Sequence, residues 1–118
     1  MSMKIVIGGC RDYHDYDAFC EFVDRCLEEL RQDVTVLSGH CSGVDAMAER
    51  YAAERGLGVE IYAAEWDKYG RAAGPVRNKK MVEQSDAVIA FWDRVSKGTR
   101  SLIRYAEQQG KPLFIKYI

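Results

Sequence analysis

Four short segments of the chain collect the residue types that hold anions and sugars. Gly8-Gly9-Cys10-Arg11-Asp12-Tyr13 places two glycines just before a guanidinium. Glycine lets a backbone approach a ligand closely, and Arg11 can fork onto a phosphate or a carboxylate. Arg11 can equally pair with Asp12 or Asp15 at the surface. Ser38-Gly39-His40-Cys41-Ser42-Gly43 is a small-residue loop ahead of a helix start. Unpaired N–H groups and the helix dipole favour an anion at such a start. The same stretch, Ser42-Gly43-Val44-Asp45, also fits a purely structural capping box with Asp in place of Glu.

The third segment holds Trp66, Asp67, Lys68, Tyr69, Gly70, Arg71 and Gly74, then Pro75, Val76, Arg77 and Asn78. Its rings can stack on a base. Arg77 and Asn78 fall in the first turn of a helix, where a cation opposes the dipole and calls for an anionic partner, either a ligand phosphate or a carboxylate such as Asp45. A solvated surface Arg77 is the plainer alternative. The fourth segment, Trp92 to Arg100, contains Lys97-Gly98-Thr99 at another helix start. Gly98 and Thr99 can donate N–H and hydroxyl groups to a phosphate, and Thr99 can equally be a simple N-cap.

No Ser-His-Asp order and no reactive-cysteine signature accompanies these segments. Asp12, Asp15, Asp45 and Asp67 are the acidic candidates, and nothing in the sequence ranks them. Cys10, Cys20, Cys26 and Cys41 form no Cys-x-x-Cys pair, and His14 and His40 complete no zinc pattern. We therefore expect reduced cysteines, a cytoplasmic location, no metal and no cofactor.

The elements that must position these loops follow from hydrophobic spacing. The chain has 118 residues, 47% hydrophobic and 30% charged, which suits one folded domain over residues 1–118. With 17 Lys+Arg against 18 Asp+Glu, the net charge is −1, so a wholly cationic nucleic-acid-binding surface is not expected. The apolar runs are far shorter than the roughly 20 residues that span a bilayer.

Lys4 to Gly8 reads as a buried strand. Phe19, Phe22, Val23, Cys26, Leu27 and Leu30 mark one face of a helix that Asp15 or Asp17 can cap. Val34 to Leu37 is a second strand. Val44, Met47, Ala48, Tyr51 and Ala52 line a second helix, which Gly56 ends. Val59 to Tyr62 is a third strand, and Ala64 to Gly74 a long loop. Pro75 opens a third helix running to about Gln84. Ala87 to Phe91 is the most apolar strand and is placed centrally. A helix over Thr99 to Gln109 and a strand over Pro112 to Tyr117 complete the chain. This alternation predicts a Rossmann-like α/β sandwich, with a five-stranded, mostly parallel sheet in the order 3-2-1-4-5. Ligands in such sheets bind beyond the carboxyl ends of the strands, where the chain reverses its winding. The apolar last strand, Leu113-Phe114-Ile115 with Tyr117 and Ile118, leaves an edge that a homodimer or higher oligomer would cover.

Five ordered motifs then carry a family resemblance. They are Gly8-Gly9-Cys10-Arg11-Asp12-Tyr13, Ser38-Gly39-x-x-Ser42-Gly43-Val44-Asp45, Ala64-x-Trp66-x-x-Tyr69-Gly70, Ala73-Gly74-Pro75-x-Arg77-Asn78, and Ala90-Phe91-Trp92-Asp93-x-x-Ser96-Lys97-Gly98-Thr99. Together they resemble the YspA-like, cpYpsA-related branch of the SLOG superfamily, which includes DprA and the LOG phosphoribohydrolases. The resemblance covers almost the whole chain. It implies a nucleotide-derived ligand such as AMP, ADP-ribose or an NAD derivative. The residues it would use are Gly9, Arg11, Ser38, Gly39, Ser42, Gly43, Asp45, Trp66, Tyr69, Arg77, Asn78, Trp92, Lys97, Gly98 and Thr99.

In LOG enzymes an Arg and a Glu act on an N-glycosidic bond. The Arg falls on Arg77 here, but the Glu position falls on Leu102, and the loop before Gly98 is two residues longer and lacks the LOG Pro-Gly-Gly. Leucine neither moves a proton nor stabilises an oxocarbenium ion. Binding or sensing is therefore the first expectation. N-glycosidic cleavage, with Arg77 and Asp45 or Asp67 as candidate catalytic residues, is the alternative. A DprA-type nucleic-acid role ranks third, because the charge is balanced.

Overall fold

Side chains alternate between the two faces of each strand, and this alternation builds two cores. The computed structural model describes residues 2–30 and 33–118. Strands β1 (Met3–Gly9), β2 (Val34–Ser38), β3 (Gly58–Ile61), β4 (Ala87–Trp92) and β5 (Leu113–Tyr117) form one sheet in the order β3-β2-β1-β4-β5. Every pairing is parallel. The expected topology is thus the observed one, an α/β Rossmann-like fold.

Ile5, Ile7, Val36, Ile89 and Phe91 point to one face, where α1 (Tyr16–Leu30) and α2 (Val44–Arg55) cover them with Phe19, Val23, Met47, Ala48 and Tyr51. Phe19 stacks on Phe91 with ring centroids 5.0 Å apart. Val6, Leu37 and Val88 point to the other face. There Met81 and Val82 of α4 (Ala73–Gln84) and Leu102 and Ala106 of α5 (Lys97–Gln108) close the core. β1 and β4 are buried on both faces, which explains their unbroken apolar runs.

Local signals set most boundaries. The Asp15 carboxylate accepts the Ala18 amide at 3.1 Å and so caps α1. Gly56 ends α2 in the left-handed conformation, at φ 66°. Other boundaries differ from the sequence expectation. The stretch read as a loop over Ala64 to Gly74 contains a short helix, α3 (Trp66–Tyr69), and a 3-10 turn at Gly70–Ala72. α4 starts at Ala73, not at Pro75. Proline lacks only an N–H that the first turn would leave unpaired, so it is tolerated at the third helical position as well. α5 starts at Lys97, with Ser96 and not Thr99 at its N-cap position. β3 is shifted to Gly58–Ile61.

Candidate ligand site at the carboxyl edge of the sheet

The register sets the ends of β1 and β4 side by side, with Gly8 opposite Ala90 and Gly9 opposite Phe91. The loops leaving β1, β2 and β4, and the start of α4, therefore meet at one rim. A cavity of about 330 Å³ opens there. Its lining includes Gly9, Arg11, Asp45, Arg77, Asn78, Lys97, Gly98 and Thr99 from the residues singled out in the sequence. Gly8, Cys10, Asp12, Cys41, Met81, Ser96 and Leu102 also line it.

The glycines of the rim are packing requirements. A Cβ on Gly9 would sit 2.3 Å from the Phe91 carbonyl oxygen, so the β1 turn lies flat on β4. Gly43 has φ 72°, and a Cβ there would meet the Cys10 and Arg11 carbonyl oxygens at 2.4 Å. Those carbonyls cover the start of α2, and the Val44 amide donates to the Cys10 carbonyl at 3.2 Å. The second loop therefore does not present an open helix start to the cavity. Its capping box does not form either: Gly43 stands at the N-cap position with no side-chain cap, and the Ser42 hydroxyl donates to the Arg11 carbonyl at 3.3 Å. Ser38, Gly39, Ser42 and Gly43 are all outside this cavity's lining, and Gly39 and Ser42 line a neighbouring cavity instead.

The start of α5 is open. Its first intrahelical bond runs from the Arg100 amide to the Ser96 carbonyl, so the amides of residues 97–99 stand outside the helical ladder. A Cβ on Gly98 would find no atom within 4 Å. The Asp93 carboxylate shapes the preceding turn by accepting the Val95 and Ser96 amides at 2.8 and 2.7 Å. Those bonds pull its pKa down to about 2.

Arg77 and Asn78 tie the rim together. The Arg77 guanidinium donates to the Gly39 carbonyl, to the Tyr62 carbonyl at 3.4 Å, and through Nε to Asn78 Oδ1 at 2.9 Å. Asn78 Nδ2 donates onward to the Gly98 carbonyl at 3.2 Å. Arg77 thus spends part of its donor capacity on backbone carbonyls, which sequence spacing did not foresee. Among the described residues Arg11 makes no ion pair, so the alternative of a surface pairing with Asp12 or Asp15 does not form.

Two carboxylates line the cavity, the exposed Asp12 and the buried Asp45. Asp45 is 6% exposed, and its Oδ2 accepts the Cys41 amide at 3.2 Å. Burial raises its pKa to about 6, against the opposing pull of the Cys41 and Gly9 amides and of Arg77. Asp67 is exposed on α3 and outside this lining.

The three aromatic candidates lie apart from the cavity. Trp66 lines a neighbouring cavity of about 300 Å³. Tyr69 lines another, of about 400 Å³, together with Tyr62 and Lys80. Arg77 borders all three cavities. Trp92 turns away: its indole N–H donates to the Ser96 carbonyl at 3.1 Å, and its ring rests near Tyr117.

A parallel 3-2-1-4-5 sheet with a polar cavity at its winding reversal defines a Rossmann-like α/β protein. The sequence matches the model of the YspA, cpYpsA-related SLOG family over residues 3–69, and the chain belongs to that family. It is 30% identical over 116 residues to the Gene 61 protein of Mycobacterium phage D29, with 93% of each chain covered. Its structure is similar to that of DNA processing protein A (DprA) from Streptococcus pneumoniae, with a TM-score of 0.74 and 17% identity. That likeness covers 98% of this chain but 50% of the DprA chain, so it concerns the fold. Membership of the SLOG family suggests a nucleotide-related role. Among the described residues, no helix is long and apolar enough to cross a membrane.

Proposed function

We propose that residues 1–118 act as one domain that binds or senses a nucleotide-derived small ligand carrying phosphate and ribose, such as AMP, ADP-ribose or an NAD derivative. One observation carries this reading: the β1 turn, Arg77-Asn78 and the open start of α5 surround a single 330 Å³ cavity with a carboxylate in its wall. The phosphate belongs on the amides at Lys97 to Thr99, within reach of Arg11 and Lys97. The Ser38 to Gly43 loop, closed by the Cys10 and Arg11 carbonyls, is a weaker candidate.

Each charge-assisted contact contributes about 1.5–3 kcal/mol, so about four of them reach the roughly 8 kcal/mol of micromolar binding. Titration of the purified chain with AMP, ADP-ribose and NAD tests the reading. Saturable binding weakened by Lys97→Ala supports it. Absence of binding to all three ligands refutes it.

A second reading, N-glycosidic cleavage, gains from Asp45. This carboxylate borders the cavity beside Leu102, with a pKa of about 6 that lets it exist in either protonation state near neutral pH. Release of free base from AMP or NAD, lost in Asp45→Asn and kept in Asp67→Asn, would establish it.

The setting is proposed to be cytoplasmic, in keeping with four free cysteines. We also propose a homodimer or larger oligomer. The edge strand β5 and the exposed Tyr117 and Ile118 support it, and light scattering tests it.

A further inference from the structure

On the far side of the Arg77 guanidinium lies the cavity of about 300 Å³ that contains Trp66. It shares Arg11, Cys41 and Arg77 with the first cavity, so the two adjoin along those side chains. His40 also lines it.

His40 is held with unusual care. Its backbone has φ 61°, in the left-handed region that a residue with a Cβ rarely occupies. Its Nδ1 lies 3.0 and 3.2 Å from the two carboxylate oxygens of Glu49. The buried Ser38 hydroxyl donates to the same carboxylate at 2.8 Å and accepts the His40 amide at 3.1 Å. Ser38, Glu49 and His40 thus form a closed cycle that aims the imidazole. A carboxylate on Nδ1 makes that nitrogen the donor and leaves Nε2 as the polar atom free for a ligand. Without a proton Nε2 accepts a hydrogen bond from a sugar hydroxyl, and with one it donates to a phosphate oxygen. A ribosyl phosphate offers both groups.

The two cavities differ in chemistry. The first has no aromatic side chain in its lining and suits a sugar phosphate. The second adds the Trp66 indole, which is 52% exposed and offers a flat face to a base. Building on the proposed reading of the first cavity, we infer that the ligand has two ribosyl-phosphate halves joined through a diphosphate. One half occupies the first cavity. Arg11 and Arg77 hold the diphosphate where the cavities adjoin, with its first-cavity phosphate on the amides at Lys97 to Thr99. The other half lays its base on Trp66 and presents its sugar or phosphate to His40 Nε2.

Calorimetric titrations with ribose 5-phosphate, AMP and ADP-ribose test this. ADP-ribose should bind at least about tenfold more tightly than either smaller probe, the equivalent of one stacked ring plus one hydrogen bond. His40→Asn and Trp66→Ala should each remove most of that advantage and leave ribose 5-phosphate affinity unchanged. Asn tolerates the left-handed backbone, and Trp66 is half exposed, so both variants should fold, as circular dichroism would verify. Equal affinity for AMP and ADP-ribose overturns the two-part ligand while leaving the first-cavity reading intact. So does tight ADP-ribose binding that neither variant weakens. Failure of all three probes to bind refutes the first-cavity reading, and this inference with it.

Discussion

Asp45 and Leu102 crowd the same glycine from two different helices. A Cβ built on Gly8 would stand 3.3 Å from Asp45 Oδ1 and 3.2 Å from Leu102 Cδ2. The position that resembles the LOG glutamate is aliphatic, yet a carboxylate from α2 reaches the same patch of backbone. Asp45 is also the group whose burial works against the fold.

That conflict predicts a pH-dependent gain from Asp45→Asn. The Asp45 pKa is about 6 in the folded chain, against an ordinary value of 3.8. A raised carboxyl pKa means folding favours the protonated form. The penalty is absent below the ordinary value, grows between the two values, and is complete above the folded one. Asparagine keeps an oxygen for the Cys41 amide and loses the acceptor for the Gly9 amide, a pH-independent cost of about 1–2 kcal/mol. At pH 8 the removed burial penalty should still leave the variant more stable by about 1 kcal/mol. At pH 5 the gain should be smaller. Urea denaturation at both pH values measures this, and an equal gain or a loss at both contradicts it.

Gly98→Ala should separate folding from binding. The residue is exposed in the first turn of α5, with open space where a Cβ would go. Alanine should leave stability unchanged or raise it by up to about 1 kcal/mol. If phosphate approaches these amides, the added methyl should weaken AMP binding several-fold. Thermal melting and titration of the same sample decide it.

Two left-handed glycines make a contrast. Gly43 and Gly56 have φ 72° and 66°. Around Gly56 a Cβ would meet nothing within 4 Å, whereas at Gly43 it would meet two carbonyl oxygens at 2.4 Å. Gly56→Ala should lose about 1 kcal/mol from backbone conformation alone. Gly43→Ala must in addition separate the β1 turn from α2, and should fail to give a cooperative melt.

Asn78→Ala should loosen the whole rim. The buried amide links Arg77 Nε to the Gly98 carbonyl, and alanine deprives both of that partner. A loss of about 1–3 kcal/mol is expected by chemical denaturation. A change below a few tenths of that would mean that solvent replaces the bridge freely.

The layered architecture is legible from the order of the residues alone. Apolar runs at Ile5 to Ile7 and Ala87 to Phe91, helical spacing in α1 and α2, and glycines at turns depend on neighbours a few residues apart. Right-handed crossovers then leave few ways to order the strands. The same short-range signals marked the loops at the carboxyl edge of the sheet and about half of the cavity lining.

What each polar group faces emerges with the packing of the folded chain. Of two helix starts with similar small-residue sequences, α2 is covered by the Cys10 and Arg11 carbonyls and α5 is open. Trp92 serves the Ser96 carbonyl instead of the cavity, and Arg77 divides its donors among Gly39, Tyr62 and Asn78. Glu49 aims His40 across nine positions of chain. A hydrogen bond or a burial penalty is set by whatever stands a few ångströms away. Between segments far apart in sequence, that neighbour exists only once β1 lies beside β4 and the helices close over the sheet.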